Sequence, residues 1–188
     1  FISMHQDGRT LYPGSGFPDE LGGPNAFGAT INLPMPPDTC EEGFLYVLDE
    51  IVMPIVNEFK PDLIINSAGQ DNHYSDPITN MKFTAHGYAV LNQRLAPDLA
   101  VLEGGYSIET ALPYINTGII LAMAGMDFSH IKEPDYDAED QKQPAAIGAY
   151  LEKLKDATFH HWNNRETLRE QVYPEQEFHK RNFNVYYD

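Results

Sequence analysis

"PDLIINSAGQDNHYSDP", residues 61–77, is the stretch that decides the fold of this chain. Its first half carries a short apolar run, Leu63 to Ile65, which closes on the small residues Ser67, Ala68 and Gly69. A brief run without period-two alternation reads as a central strand covered on both faces, the habit of parallel sheets. Its second half places Asp71, His73 and Asp76 within residues 71–76. A carboxylate at the end of a buried strand is costly unless it is hydrogen-bonded, paired or on a metal. In an extended segment, residues 71 and 73 share a face, which permits joint ligation without requiring it. Asp76 precedes Pro77, a common turn opener. Local spacing therefore leaves Asp71 open between a metal ligand and a loop cap.

Working outward, "PDLAVLEGG" (97–105) repeats the same beginning and reads as a second strand of one layered pattern. Between them "FTAHGYAVLNQRLA" (83–96) reads as a helix with Thr84 as its cap. "SIETALPYINTGIILAMAG" (107–125) is a further helical segment, with Ser107 as the expected cap and Pro113 disturbing its first turns. Upstream, Phe44, Leu48, Ile51, Ile55 and Phe59 recur at three- and four-residue spacing between Glu41 and Lys60. That is an amphipathic helix, bent or broken at Pro54, with Asp38 or Thr39 as cap. "TINLPMP" (30–36) reads as a strand stopped by Pro34, Pro36 and Pro37. Residues 9–29, rich in Gly and Pro, form a long loop, and "FISM" (1–4) reads as a strand already under way.

Strands alternating with helices imply an α/β fold, a parallel central sheet flanked by helices. Ligands in such sheets bind beyond the carboxyl ends of the strands. "SMHQDG" (3–8), "SAGQD" (67–71) and "LEGGYS" (102–107) all fall there. From Asp127 the chain turns polar, through the acidic linker "KEPDYDAEDQKQP" (132–144) to a helix, "AAIGAYLEKLKDATFHHW" (145–162), and a charged, aromatic tail. The reading divides the chain into a domain portion, 1–126, and an extension, 127–188, which packs on that domain or serves an interface.

The formal net charge is −16, from 28 acidic and 12 basic residues. That argues against a non-specific grip on nucleic acid and is compatible with a cationic substrate or simply an acidic surface. No apolar run approaches the ~20 residues of a membrane span. One cysteine, Cys40, allows no internal disulfide and fits a reducing, cytoplasmic compartment. The chain begins without an initiator Met or a signal-like leader, and is expected to be the later part of a longer protein or of a split one.

Besides Asp71, Tyr106 stands out, held after two glycines where a phenol could donate to a developing oxyanion. An exposed tyrosine in an ordinary turn fits the same residues. Tyr12, heading "LYPGSG", is a pocket-wall candidate or part of a tight turn. His160 and His161 point about 100° apart on a helix and would not chelate one ion easily. His5, His86, His130 and His179 are isolated and read as packing or surface residues. No Ser-His-Asp order, CxxC or HExxH is present.

As an ordered set, "SMHQDGRTLYPGSG", "INLPMPPDT", "PDLIINSAGQDNHYSDP" and "LAVLEGGYS" resemble the second half of the metal-dependent deacetylase family. That family comprises histone deacetylases, acetylpolyamine amidohydrolases and acetoin-utilisation-type proteins, and the resemblance covers roughly residues 1–125. It implies an arginase-like fold and a zinc or iron ion held by two aspartates and a histidine. Asp71 matches one aspartate ligand. Tyr106 matches the tyrosine that polarises the substrate carbonyl. Tyr12, Gly104 and Ile78 match positions lining the acyl-lysine tunnel, and Ser3 with the Met4 carbonyl matches a structural potassium site. His73 is then expected to support the site or the fold rather than bind metal. Gln70 departs from the family, which often has Phe there. The family's Asp-x-His pair and tandem histidines, which precede the serine motif, do not occur in this chain.

The implied activity is removal of an acetyl or acyl group from a small amine or an acetyl-lysine side chain. Its site would be completed by a preceding segment of the same protein or a complementing chain, and this chain alone is expected to be inactive. No membrane or direct nucleic-acid partner is expected, and a homo-oligomer is compatible. The rival reading is a non-catalytic, deacetylase-like binding domain. Retention of both Asp71 and Tyr106 argues against it, since a decayed site tends to lose one.

Overall fold

The computed structural model describes residues 1–133, 137–139 and 141–174. The aromatic end of the tail and His179 lie outside the described residues. The chain is an α/β fold in which every described strand pairing is parallel. Strand β1 (Ile2–Gln6) pairs with β2 (Ile31–Met35), and β3 (Ile65–Ala68) with β4 (Leu99–Leu102). The registers run from Ile2 opposite Ile31 and from Ile65 opposite Leu99. Among the described residues the strands thus form two ribbons. A cavity of about 480 Å³ lies between them, lined by Ile2 to Met4 of β1 and Ile65 to Ala68 of β3.

The two "PDL" segments lie side by side. Asp98 Oδ2 accepts the Ile64 N–H at 2.8 Å, and Ile64 O accepts the Asp98 N–H at 2.9 Å. The expectation that these strands are covered on both faces is not met. Ile65, Leu99 and Leu102 are each at least half exposed, because no described element packs on that side. Strand β2 does not stop at Pro34 but runs through it to Met35. β2 pairs only with β1 among the described residues, so a missing N–H on its other edge costs no ladder bond. The Pro34 carbonyl instead accepts from Tyr150 Oη at 3.1 Å.

The helix expected from Glu41 is split, with its apolar face kept continuous. Helix α1 (Glu41–Val47) widens into a π-turn at Leu48–Val52 and resumes as α2 (Met53–Phe59). The wide turn lies just before Pro54, which has no N–H to return and whose ring would crowd the carbonyl four residues earlier. Phe44, Val47, Leu48, Ile51 and Ile55 are buried, whereas Phe59, expected on this face, is 66% exposed. Neither Asp38 nor Thr39 caps α1. Thr39 Oγ1 turns back to Pro36 O, and Gln143 Oε1, far along the chain, takes the Cys40 N–H at 3.1 Å.

Helix α3 (Ala85–Leu95) begins as expected, with Thr84 Oγ1 accepting from the Gly87 N–H at 2.8 Å. Helix α4 (Leu112–Met123) starts later than expected, with Pro113 in its first turn where no N–H is needed. Ser107 therefore does not cap it; its carbonyl accepts from Ala111 and Leu112, and its hydroxyl bonds Thr110. α3 and α4 pack together, and Asn92 of α3 accepts from Asn66 of β3 at 2.9 Å. Phe83 stacks on Phe44 with centroids 4.3 Å apart, joining α3's entry to α1. Each such ring contributes about 1.5–3 kcal/mol by burial.

Helix α5 (Ala145–Val172) is longer than the predicted stretch and continues into the charged tail. Ile147, Leu151, Leu154, Thr158 and Trp162 form its buried stripe against α1, β2 and the π-turn. No helix among the described residues is long and apolar enough to cross a membrane.

Candidate active site at the strand ends

The ends of β3 and β4 bring Asp71 and Tyr106 together. The Gln70 N–H donates to the Gly104 carbonyl at 2.6 Å, which continues the β3–β4 pairing one step past the strands. This puts Gly104 beneath the Asp71 side chain. A Cβ on Gly104 would lie 2.7 Å from Asp71 Oδ2 and 3.5 Å from Tyr106 Cε2. The missing side chain is therefore the space in which the carboxylate and the phenol ring approach each other. Gly105, at φ +149°, takes a backbone angle that side chains rarely adopt and turns Tyr106 back over this point.

Burial raises the Asp71 carboxyl above the ordinary Asp range, opposed by its own backbone N–H and reinforced by the like charge of Asp76. Asp76, itself 7% exposed, is already engaged. Its Oδ1 accepts the Ile78 N–H at 2.9 Å, as a turn opener would, and its Oδ2 accepts the Tyr106 N–H at 2.8 Å. The second bond ties the Asp71 loop to the Tyr106 loop across 30 residues of sequence. Nothing in the local sequence signals it.

The other predicted residues are distributed around this centre. Ile78 is 53% exposed beside the Asp76 turn, and Tyr106 is 51% exposed. Tyr12 stands 92% exposed on the 9–29 loop, next to a cis peptide bond with Pro13. Ser3 Oγ contacts His5 Nδ1 at 2.9 Å, and Met4 sits opposite Leu33 in β1–β2. Gln70, where the family often has Phe, is 2% exposed and donates to Asn116 of α4 at 2.6 Å. His73 is fully buried, and its ring nitrogens face Ser75 Oγ and Glu133. His160 and His161 are apart from the centre, on α5, with His161 Nδ1 on Pro18 O at 3.0 Å.

A metal ion fits this place in part. An oxygen donor stands at the mouth of two parallel strands, desolvated and with no cationic side chain shifting it. Among the described residues, however, no three His, Cys, Asp or Glu side chains converge to hold an ion. A catalytic zinc normally takes three protein ligands, so Asp71 by itself does not make such a site.

A strand-end carboxylate and a glycine-hinged tyrosine thus stand together on an α/β fold, and comparison with known proteins gives the family to which the chain belongs. Residues 1–123 match the histone deacetylase domain, and the chain belongs to that family. It is 54% identical over 144 residues to a probable deacetylase of Archaeoglobus fulgidus, covering 72% of this chain and 40% of that protein. It superposes on an acetylpolyamine aminohydrolase from Burkholderia pseudomallei with a TM-score of 0.62 and 30% identity, over 66% of this chain and 37% of that one. The HD domain of HDA15 shares the fold, with a TM-score of 0.69 at 24% identity over 94% of this chain and 48% of that one. The chain thus spans less than half the length of each of these proteins.

Proposed function

We propose that this chain supplies the aspartate ligand and the oxyanion-donating tyrosine of an amidohydrolase that removes an acetyl or acyl group from an amine or lysine side chain. The observation that carries the reading is the approach of the Asp71 carboxylate and the Tyr106 ring over Gly104. Zinc or iron, when bound, supplies Lewis acidity toward water and the amide carbonyl. Asp71 would hold the ion. Tyr106, positioned through its N–H bond to Asp76, donates its phenol hydrogen to the oxygen on which negative charge develops. Tyr12, Gly104 and Ile78 would line the acyl channel, and Ser3 with the Met4 carbonyl would hold potassium. The remaining ligands and the general base come from a further segment of the protein or from a complementing chain. The bare face of β3 and β4 is a surface such a segment would cover. The substrate is an acetylated small amine or acetyl-lysine, and the net charge of −16 favours a cationic amine end.

The test is metal content and turnover of the full-length protein on an acetyl-lysine peptide and on an acetylated polyamine. Asp71→Ala is expected to lose metal and activity together. Tyr106→Phe is expected to keep the metal and lose about 10²–10³-fold in kcat, the usual consequence of removing one oxyanion donor. Undiminished turnover in Tyr106→Phe would refute the tyrosine's role.

A further inference from the structure

Glu133 lies ten residues beyond the stretch that matches the histone deacetylase domain, yet its side chain meets the residues behind the site. Its side chain is only 12% exposed. Its Oε1 accepts the His86 N–H at 2.7 Å, at the start of α3. Its Oε2 lies 3.3 Å from Nε2 of the fully buried His73. Burial alone would raise the Glu133 carboxyl, but the bonds from His73 and from the backbone of His86 and Ala85 hold it below the ordinary range. The Ser75 N–H points at His73 Nδ1, at 3.2 Å, which makes Nδ1 the acceptor and Nε2–H the donor to Glu133. Ser75 Oγ in turn contacts Ser107 Oγ at 3.0 Å, and Ser107 follows Tyr106.

A single polar chain, Glu133–His73–Ser75–Ser107, thus runs behind both site loops. His73 is two residues from Asp71, and its backbone is fixed on the other side, where the Phe83 N–H donates to Asn72 O at 3.0 Å and the Tyr74 N–H to Phe83 O at 3.1 Å. The fully buried His73 ring packs on Tyr74 with centroids 4.2 Å apart and is held at Nδ1 by Ser75 and at Nε2 by Glu133. We infer that Glu133 and His73 are positioning residues, with Glu133 the outer anchor that sets the Asp71 loop for the metal, and the Ser75–Ser107 contact carrying the same constraint to Tyr106. This assignment rests on the deacetylase reading of Asp71 and Tyr106. It gives the segment after α4 a part in the site, although that segment supplies no group that touches substrate.

The test uses the full-length protein and zinc alone, with affinity read by competition against a chromogenic chelator. Glu133→Ala and His73→Ala are each expected to weaken zinc binding about 10–100-fold, as loss of support behind a ligand does. The double variant should be no weaker than the worse single, since both break one link. Leu154→Ala, in the α5 stripe away from the loop, should lower thermal stability while leaving zinc affinity unchanged. Ser75→Ala keeps the His73–Glu133 contact, and should lower kcat several-fold with zinc affinity and KM unchanged. Glu133→Ala that loses thermal stability like Leu154→Ala, with zinc affinity intact, would overturn the assignment. Should Glu133→Ala not fold, an unaltered kcat in Ser75→Ala would overturn it instead. Zinc binding that survives Asp71→Ala would reject the deacetylase reading itself, and the anchor with it.

Discussion

Replacing Gly104 by alanine adds one methyl group 2.7 Å from Asp71 Oδ2 and 3.1 Å from its Cγ. Ordinary contact begins well beyond 3 Å, so the carboxylate has to withdraw by roughly half an ångström or more. Gly104, unlike Gly105, does not have a left-handed backbone angle, so alanine fits its main chain and the effect is confined to the contact. Overpacking of this kind costs about 1–3 kcal/mol. At about 1.4 kcal/mol per tenfold, that is a loss of roughly 5- to 150-fold in metal affinity, in kcat/KM, or shared between them. The ring of Tyr106, 3.5 Å from the same point, is already at contact distance and need not move. The expected signature is therefore a metal defect that excess metal partly rescues. Zinc titration and steady-state turnover of the full-length protein measure both, with a thermal melt to confirm that the fold is intact. Metal affinity and turnover both within twofold of wild type would show that the space over Gly104 does not set the ligand's position.

Two further predictions concern the scaffold. The Arg9 side chain, hydrogen-bonded to the buried carboxylate of Asp7, holds that group below the ordinary Asp range, against the opposing effect of burial. A lowered folded-state value means stability that is present above the unfolded value of about 3.9 and is lost as pH falls through the folded one. Asp7→Asn should thus be less stable than wild type at neutral pH, with the difference closing on acidification; a gap independent of pH would refute the linkage. Thr84→Ala should cost about 1–2 kcal/mol in urea unfolding, because the Gly87 N–H loses its cap, and Thr84→Ser should restore most of it.

Much of the fold was legible in sequence because its signals are local. The spacing of Phe44, Leu48, Ile51 and Ile55, the Thr84 cap and the short apolar runs at 63–65 and 99–102 each follow from residues within a turn or two of one another. The misreadings share a cause as well. A strand ending at Pro34 and a cap at Asp38 or Thr39 both assumed that near neighbours settle the matter. Among the described residues, strand order leaves Pro34 on an edge, and Gln143 reaches across the fold to Cys40.

The site divides along the same line. By itself the sequence determined which residues are chemically suited to it, Asp71 at a strand end and Tyr106 after paired glycines, since type and backbone freedom are properties of the residues. Only the tertiary structure decided that they meet over Gly104, that Asp76 spans their two loops, and that Glu133 lies behind them. Those contacts join positions roughly 30 to 60 residues apart in the chain, and parallel strand pairing and helix packing create them. No period or motif in the sequence encodes such a distance.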